Sequence, residues 1–116
     1  CLGQEEVLPM RYDPHGRRYV VDHAHLSPEL GARIVGDSLK LVRALGYDMN
    51  TVEFAIRDGV PYAIDFMNAA PDMDINSLTP VYFEWVVRHM ADMVIDLALN
   101  PRPQLTELKW SGLFNG

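Results

Sequence analysis

The sequence has a single cysteine, Cys1, so no intrachain disulfide can form. Nothing in its cysteine usage points to an oxidising compartment, and a cytoplasmic setting is the expectation. Basic residues are also scarce. Ten lysines and arginines stand against sixteen acids, for a formal net charge of −6, and they are loosely scattered. A nucleic-acid surface neutralises phosphates with clustered Lys and Arg, so no nucleic-acid partner is expected. The one basic group is Arg17 and Arg18 with Arg11 nearby, which reads either as a solvated face or as a phosphate contact. Long apolar runs are missing as well. No stretch approaches the ~20 residues of a membrane span, and there is no basic and apolar leader, so a soluble protein without a membrane partner is expected.

What is present is an ordinary globular composition, 48% hydrophobic and 22% charged over 116 residues. That length supports one packed core and a single domain over residues 1–116. The opening Cys-Leu-Gly-Gln, with no methionine before it, reads as the middle of an element and hence as a piece of a longer polypeptide.

Glu6–Tyr12 and Arg17–Asp22 are short and rich in Val and Tyr, and Asp13-Pro14-His15-Gly16 between them is a run of turn formers. They read as two strands and a loop, with Pro9 demoting the first to an edge or bulged position. Ser27-Pro28-Glu29 is a helix start, combining a capping hydroxyl, a proline at the first position and an acid near the positive end. Leu30, Ile34, Val35, Leu39, Val42 and Leu45 then recur at helical spacing up to Gly46, which ends the helix. A second helix is expected from Thr79-Pro80 to about Leu99, with Phe83, Val87, Met90, Val94 and Leu97 as its apolar stripe, widened by Trp85, Val86 and Met93 so that it contacts two sides. Beyond Pro103, Leu105, Leu108, Trp110, Leu113 and Phe114 make a tail too apolar to stand free in water, which is expected to dock on the body or on a partner. The predicted class is α+β, an antiparallel sheet with two main helices.

Asn50–Arg57 and Val60–Met67 flank Asp58-Gly59, the strongest short hairpin signal. A two-residue loop would put Glu53 on the side of Tyr62, Ile64 and Phe66. A three-residue loop of Arg57, Asp58 and Gly59 instead gathers Val52, Phe54, Ile56, Val60, Tyr62, Ile64 and Phe66 on one face. Thr51, Glu53, Ala55, Ala63, Asp65 and Met67 then share the other. Hydrophobic alternation selects the second register, with Asp65 opposite Thr51 and diagonal to Glu53. Two carboxylates on one face repel unless a cation or proton lies between them, and hard oxygens suit Mg²⁺. The alternative is that both acids point into water, each paired with an arginine.

The run Thr51-Val-Glu-Phe-Ala-Ile-Arg-Asp-Gly-Val-Pro-Tyr-Ala-Ile-Asp65-Phe-Met-Asn68 resembles the last hairpin of the ATP-grasp superfamily. In that family one strand carries an acid, a Gly-containing turn follows, and the return strand ends in a second acid and then an asparagine. The resemblance covers about 20 residues strongly and the strand, helix and hairpin order of the family's C-terminal subdomain more loosely. It implies that Glu53, Asp65 and Asn68 bind the Mg²⁺ ions bridging the ATP phosphates, and that Ala55 lies near the adenine. Arg11 stands beside them as a candidate phosphate contact. The family has glutamate at the second acid and one residue before the asparagine, whereas here Phe66 and Met67 intervene. On a regular strand positions 65 and 68 face opposite ways, so Asn68 joins the set only if the chain bulges near Met67.

The implied function is part of an ATP-dependent ligase that activates a carboxylate as an acyl phosphate and joins it to an amine or thiol. Its partners would be ATP, the carboxylate and amine substrates, and the N-terminal remainder of the same enzyme, with homo-oligomer formation left open. The fragment alone is expected to be inactive and no catalytic residue is assigned. The competing class is a non-catalytic α+β module that docks a protein. Of the other motifs, His23 and His25 at i and i+2 read as structural or exposed before they read as a metal pair. His89 reads as a boundary residue on its helix. Asp72 and Asp74 read as a polar connector or, by the resemblance, as groups orienting an amine.

Overall fold

The computed structural model describes residues 1–103. The apolar tail beyond Pro103 lies outside the described residues. In chain order the elements are β1 (Arg11–Asp13), β2 (Arg18–Val20), α1 (Pro28–Leu45), β3 (Thr51–Arg57), β4 (Val60–Asn68) and α2 (Ile75–Leu99). The α+β class stands, but the strands form two separate antiparallel pairs, β1–β2 and β3–β4, and not one sheet. Each hairpin acquires its own helix, α2 against β2 and α1 against β4.

The first hairpin is shorter than predicted. Its turn is tied by the Asp13 carboxylate, which accepts the His15 N–H at 3.0 Å. Leu8 and Met10 lie outside the ladder and, with Tyr19 of β2, pack on the buried residues of α2. α1 keeps the predicted ends. Ser27 Oγ accepts the Leu30 N–H at 3.3 Å, and Gly46 takes the left-handed conformation (φ 78°), its N–H returning to the Val42 carbonyl. The inward stripe of α1 is Ile34, Ser38 and Val42.

The second helix departs from expectation at its start. Asp74 caps a first turn, accepting the Asn76 N–H at 2.8 Å. Thr79 then breaks the helix (φ 69°, ψ 157°) and Pro80 restarts it, because proline has no N–H to continue the ladder and its ring clashes with the preceding turn. Thr79 Oγ1 is buried without a partner, and a β-branched residue at positive φ is strained. Of the broad predicted stripe, Val86 is buried and Phe83 and Trp85 pack beside it, but the centre of the buried face lies one residue earlier. Leu78, Tyr82 and Val86 are the buried positions, whereas Val87 and Val94 are about half exposed. Tyr82 decides the rotation, since its ring is 1% exposed and its hydroxyl donates to the Val20 carbonyl at 3.2 Å. No helix among the described residues is long and apolar enough to cross a membrane.

The first residues complete a short ladder beside β3. Cys1 and Asn50 exchange both backbone bonds, at 2.9 and 3.1 Å, and the Gly3 N–H donates to the Asp48 carbonyl at 2.7 Å. Leu2 opposite Met49 is 1% exposed. Arg102 pins the segment by donating to the Gly3 carbonyl and pairing with Asp48.

Candidate functional site

The hairpin β3–β4 turns in two residues and not three. Arg57 pairs with Val60, and Asp58 and Gly59 both have positive φ, 52° and 74°. That is the signature of a type I′ turn, whose twist matches the strands. A three-residue loop is favoured only where one face of the tip is buried. Ile56, Tyr62 and Ile64 are instead 47%, 53% and 63% exposed, so no burial term opposes the turn chemistry. At the tip Phe54, Ile56, Pro61 and Ala63 therefore share one face, and Ala55, Arg57, Val60 and Tyr62 the other.

Two irregularities then restore the acidic face. Phe54 pairs with Ala63 but Glu53 with Asp65, so Ile64 is an extra residue in β4. Thr51 next pairs with Asn68, so one more residue is inserted at Phe66–Met67. Each bulge reverses the parity of β4 relative to β3. The result places Thr51, Glu53, Asp65 and Asn68 on one face. Glu53 and Asp65 are directly opposed, where a diagonal relation was expected, and Asn68 occupies the place opposite Thr51 that the pattern had assigned to Asp65. Directly opposed residues have Cβ atoms about 4.5–5.5 Å apart, close enough for both carboxylates to share one cation.

Asn50 is the local device that holds the second bulge. It is fully buried, and its side chain donates to the Phe66 carbonyl at 2.8 Å and accepts the Asn68 N–H at 2.9 Å. A carboxamide thus carries two bonds that a regular ladder would give to backbone. An asparagine before a strand reads only as a turn former in sequence, so its role was not legible there.

A groove of about 620 Å³ runs between this hairpin and the first one. Arg11, Tyr12, Arg17 and Tyr19 line it on one side, and Thr51, Glu53, Asn68 and Asp72 on the other. Tyr19 was missed in the sequence. Burial first, then the charge of Glu53, with Tyr12 and Asp72 adding, push its phenol above the usual value. It stays a protonated hydroxyl at neutral pH, a hydrogen-bond donor beside two acids. Arg11 is in the groove wall, with its guanidinium 3.1 Å from Asp22. Asp65 and Ala55 do not line the groove. Both are exposed, and Ala55 pairs with Tyr62 on the face it shares with Glu53.

Neither a family model, a curated protein nor a solved structure matches this chain.

The remaining candidates take structural places. Asp74 caps α2, while Asp72 accepts from the Ser77 hydroxyl and the Asp74 N–H, bonds that hold its carboxyl below the ordinary range. His25 Nδ1 lies against the Asp22 carbonyl, and His23 meets the Tyr82 ring edge-on. The two histidines thus face different neighbours. His89 stacks on Trp85 with ring centroids 3.9 Å apart.

Proposed function

We propose that the chain carries the Mg²⁺–ATP-binding hairpin of an ATP-grasp ligase that joins a carboxylate to an amine or thiol. Glu53, Asp65 and Asn68 are the metal ligands in this reading, and a longer polypeptide supplies the rest of the active site. The observation that carries it is the pair of bulges, which oppose Glu53 to Asp65 and turn Asn68 onto the same face. A bulge that costs ladder bonds to align two like charges is unfavourable unless something occupies the space between them.

The donor chemistry fits Mg²⁺. The face offers two carboxylates and an amide oxygen, all hard ligands, and among the described residues no larger cluster of His, Cys, Asp or Glu forms. Mg²⁺ commonly binds through one or two carboxylates and completes its octahedron with water and nucleotide phosphates. When bound, the metal supplies charge neutralisation on the phosphates. The chain's own part is to hold that charge in place, with Tyr19 as a neutral donor and Arg11 and Arg17 as cations across the groove. Ala55, on the same face two residues from Glu53, belongs to the nucleotide floor in this reading.

Mn²⁺ titration of the isotope-labelled chain, with and without ATP, tests the proposal by paramagnetic broadening. The amides of Glu53, Asp65 and Asn68 should broaden at millimolar metal, more strongly with ATP, and no longer in Glu53→Gln or Asp65→Asn. No broadening there, or broadening that both substitutions leave unchanged, would sink the metal site.

A further inference from the structure

We propose that the outer face of α2 docks the same face of α2 in a second copy of this chain, packed antiparallel across a two-fold axis. The inference does not depend on what Glu53 and Asp65 bind.

The helix carries two stripes. Leu78, Tyr82 and Val86 face the core, with Phe83 and Trp85 packed beside them. On the opposite side Glu84, Val87, Ala91, Val94 and Ala98 follow one another at intervals of three, four, three and four residues, the spacing of a coiled-coil seam. All five are exposed, Val87 at 49% and Val94 at 54%, and Ile95 and Leu99 widen the seam at 58% and 75%. Single exposed apolar residues are ordinary on a surface, but a continuous patch at seam spacing marks a contact. After α2 the described chain turns to the helix's inner side, where Arg102 donates to the Gly3 carbonyl and Gly3 lies against Met93. The outer face stays exposed.

The seam is complementary to itself. A two-fold contact repeats every pair across its axis. With the axis at the height of the Asp92–Met93 peptide, Val87 falls opposite Ala98 of the second copy and Ala91 opposite Val94, and the same pairs recur in reverse order. Every layer then sets a larger side chain against a small one, which lets two helices interdigitate at close approach. Glu84, the seam's one charge, falls opposite position 101, past the end of α2 at Leu99, and keeps its 2.7 Å bond to Arg88 in water.

Charge selects the same direction. Parallel pairing would stack Arg88 on Arg88 and Asp92 on Asp92. Antiparallel order separates these like charges and brings Arg88 to the side of the seam that holds Asp92 of the second copy. Covering the outer face on both copies removes on the order of 1,000 Å² from water, the lower bound of a specific interface. The expected dimer is weak and reversible.

Sedimentation equilibrium of the full chain from about 10 µM to about 1 mM tests the proposal, with Val87→Glu, Ala98→Lys and the double variant. The wild-type mass should rise with concentration toward that of a dimer. Either single substitution places an unmatched charge in the seam and should weaken association by roughly tenfold or more. In the double variant the two introduced charges face each other across the axis, and association should return to within about threefold of wild type. Thermal melts at the low end of the range should stay near wild type for all three, since both sites are exposed. A chain that stays monomeric across the range overturns the proposal. So does association that neither single substitution weakens, which assigns the contact to another surface, or a double variant no better than the singles.

Discussion

At its tip the β3–β4 hairpin runs in strict register around a two-residue turn, whereas at its base the same strands slip twice between Ala63 and Asn68. At the tip Ile56 and Tyr62 are near half accessible, and the two-residue turn sets the pairing. The base is braced by the buried Asn50 and by the Cys1–Gly3 ladder. Exposure does not separate the two ends, since Pro61 is buried at the tip and Ile64 and Met67 are exposed at the base; what separates them is the Asn50 side chain, whose hydrogen bonds hold the irregular pairing. The teaching is that the base is specified against its intrinsic preference, and the four polar residues it aligns are what that specification achieves.

Removing the brace should give the largest effect. Asn50→Ala leaves the Phe66 carbonyl and the Asn68 N–H without partners, and should cost about 2–4 kcal/mol in urea unfolding. Amide exchange should speed up at Asn68 while the tip residues Arg57 and Val60 change little. If tip and base lose protection together, the two ends are one cooperative unit and the contrast fails.

The tip should be milder. Gly59→Ala places a Cβ at φ 74° and should cost about 1–2 kcal/mol. Its chemical-shift changes should stop short of Glu53 and Asp65. Spread to those two residues would mean that the turn, and not Asn50, sets the acidic register.

A smaller change has the opposite sign. Without metal, Glu53→Gln relieves the opposed charges and should stabilise the fold by roughly 0.2–1 kcal/mol. Added Mg²⁺ should narrow that gap by stabilising the wild type alone. A wild type indifferent to Mg²⁺ in thermal melts would leave the base without its proposed occupant.

The smallest effect is a titration beside the base. Asp72 is held below the usual carboxylate value first by the Ser77 hydroxyl and then by the Asp74 N–H. Its contribution to stability is therefore present above the unfolded pKa and is lost as pH falls through the lower folded value. Carboxyl-carbon shifts should show Asp72 titrating below the usual carboxylate value, and Ser77→Ala should raise it. An unmoved Asp72 in that variant would assign the shift to the backbone bond.

Much of the chain was legible before any coordinates, where the signal was local. Ser27, Pro28 and Gly46 delimit α1 because capping and left-handed termination depend on single residues. Asp58-Gly59 marks the hairpin for the same reason. The first turn of α2 was less legible, since Asp74 competes as a cap with the more conspicuous Thr79-Pro80. The site shows the same division. Glu53 and Asp65 were placed on one face, but through a register that the tip does not adopt, and their true alignment needs the extra residue at Ile64. Bulges have no signature in a lone sequence, because the inserted residue looks like any other strand residue.

By itself, then, the sequence determined the α+β class, the helix α1, the hairpin at Asp58-Gly59 and the acids that share its polar face. Only the tertiary structure decided that the strands form two sheets, that α2 turns Tyr82 inward, and that Asn50 steers Asn68 beside Asp65. The reason is range. Caps and turns are settled within a few residues, whereas the bulged base answers to Cys1, Asn50 and Phe66 at once, partners that meet only after the chain has folded.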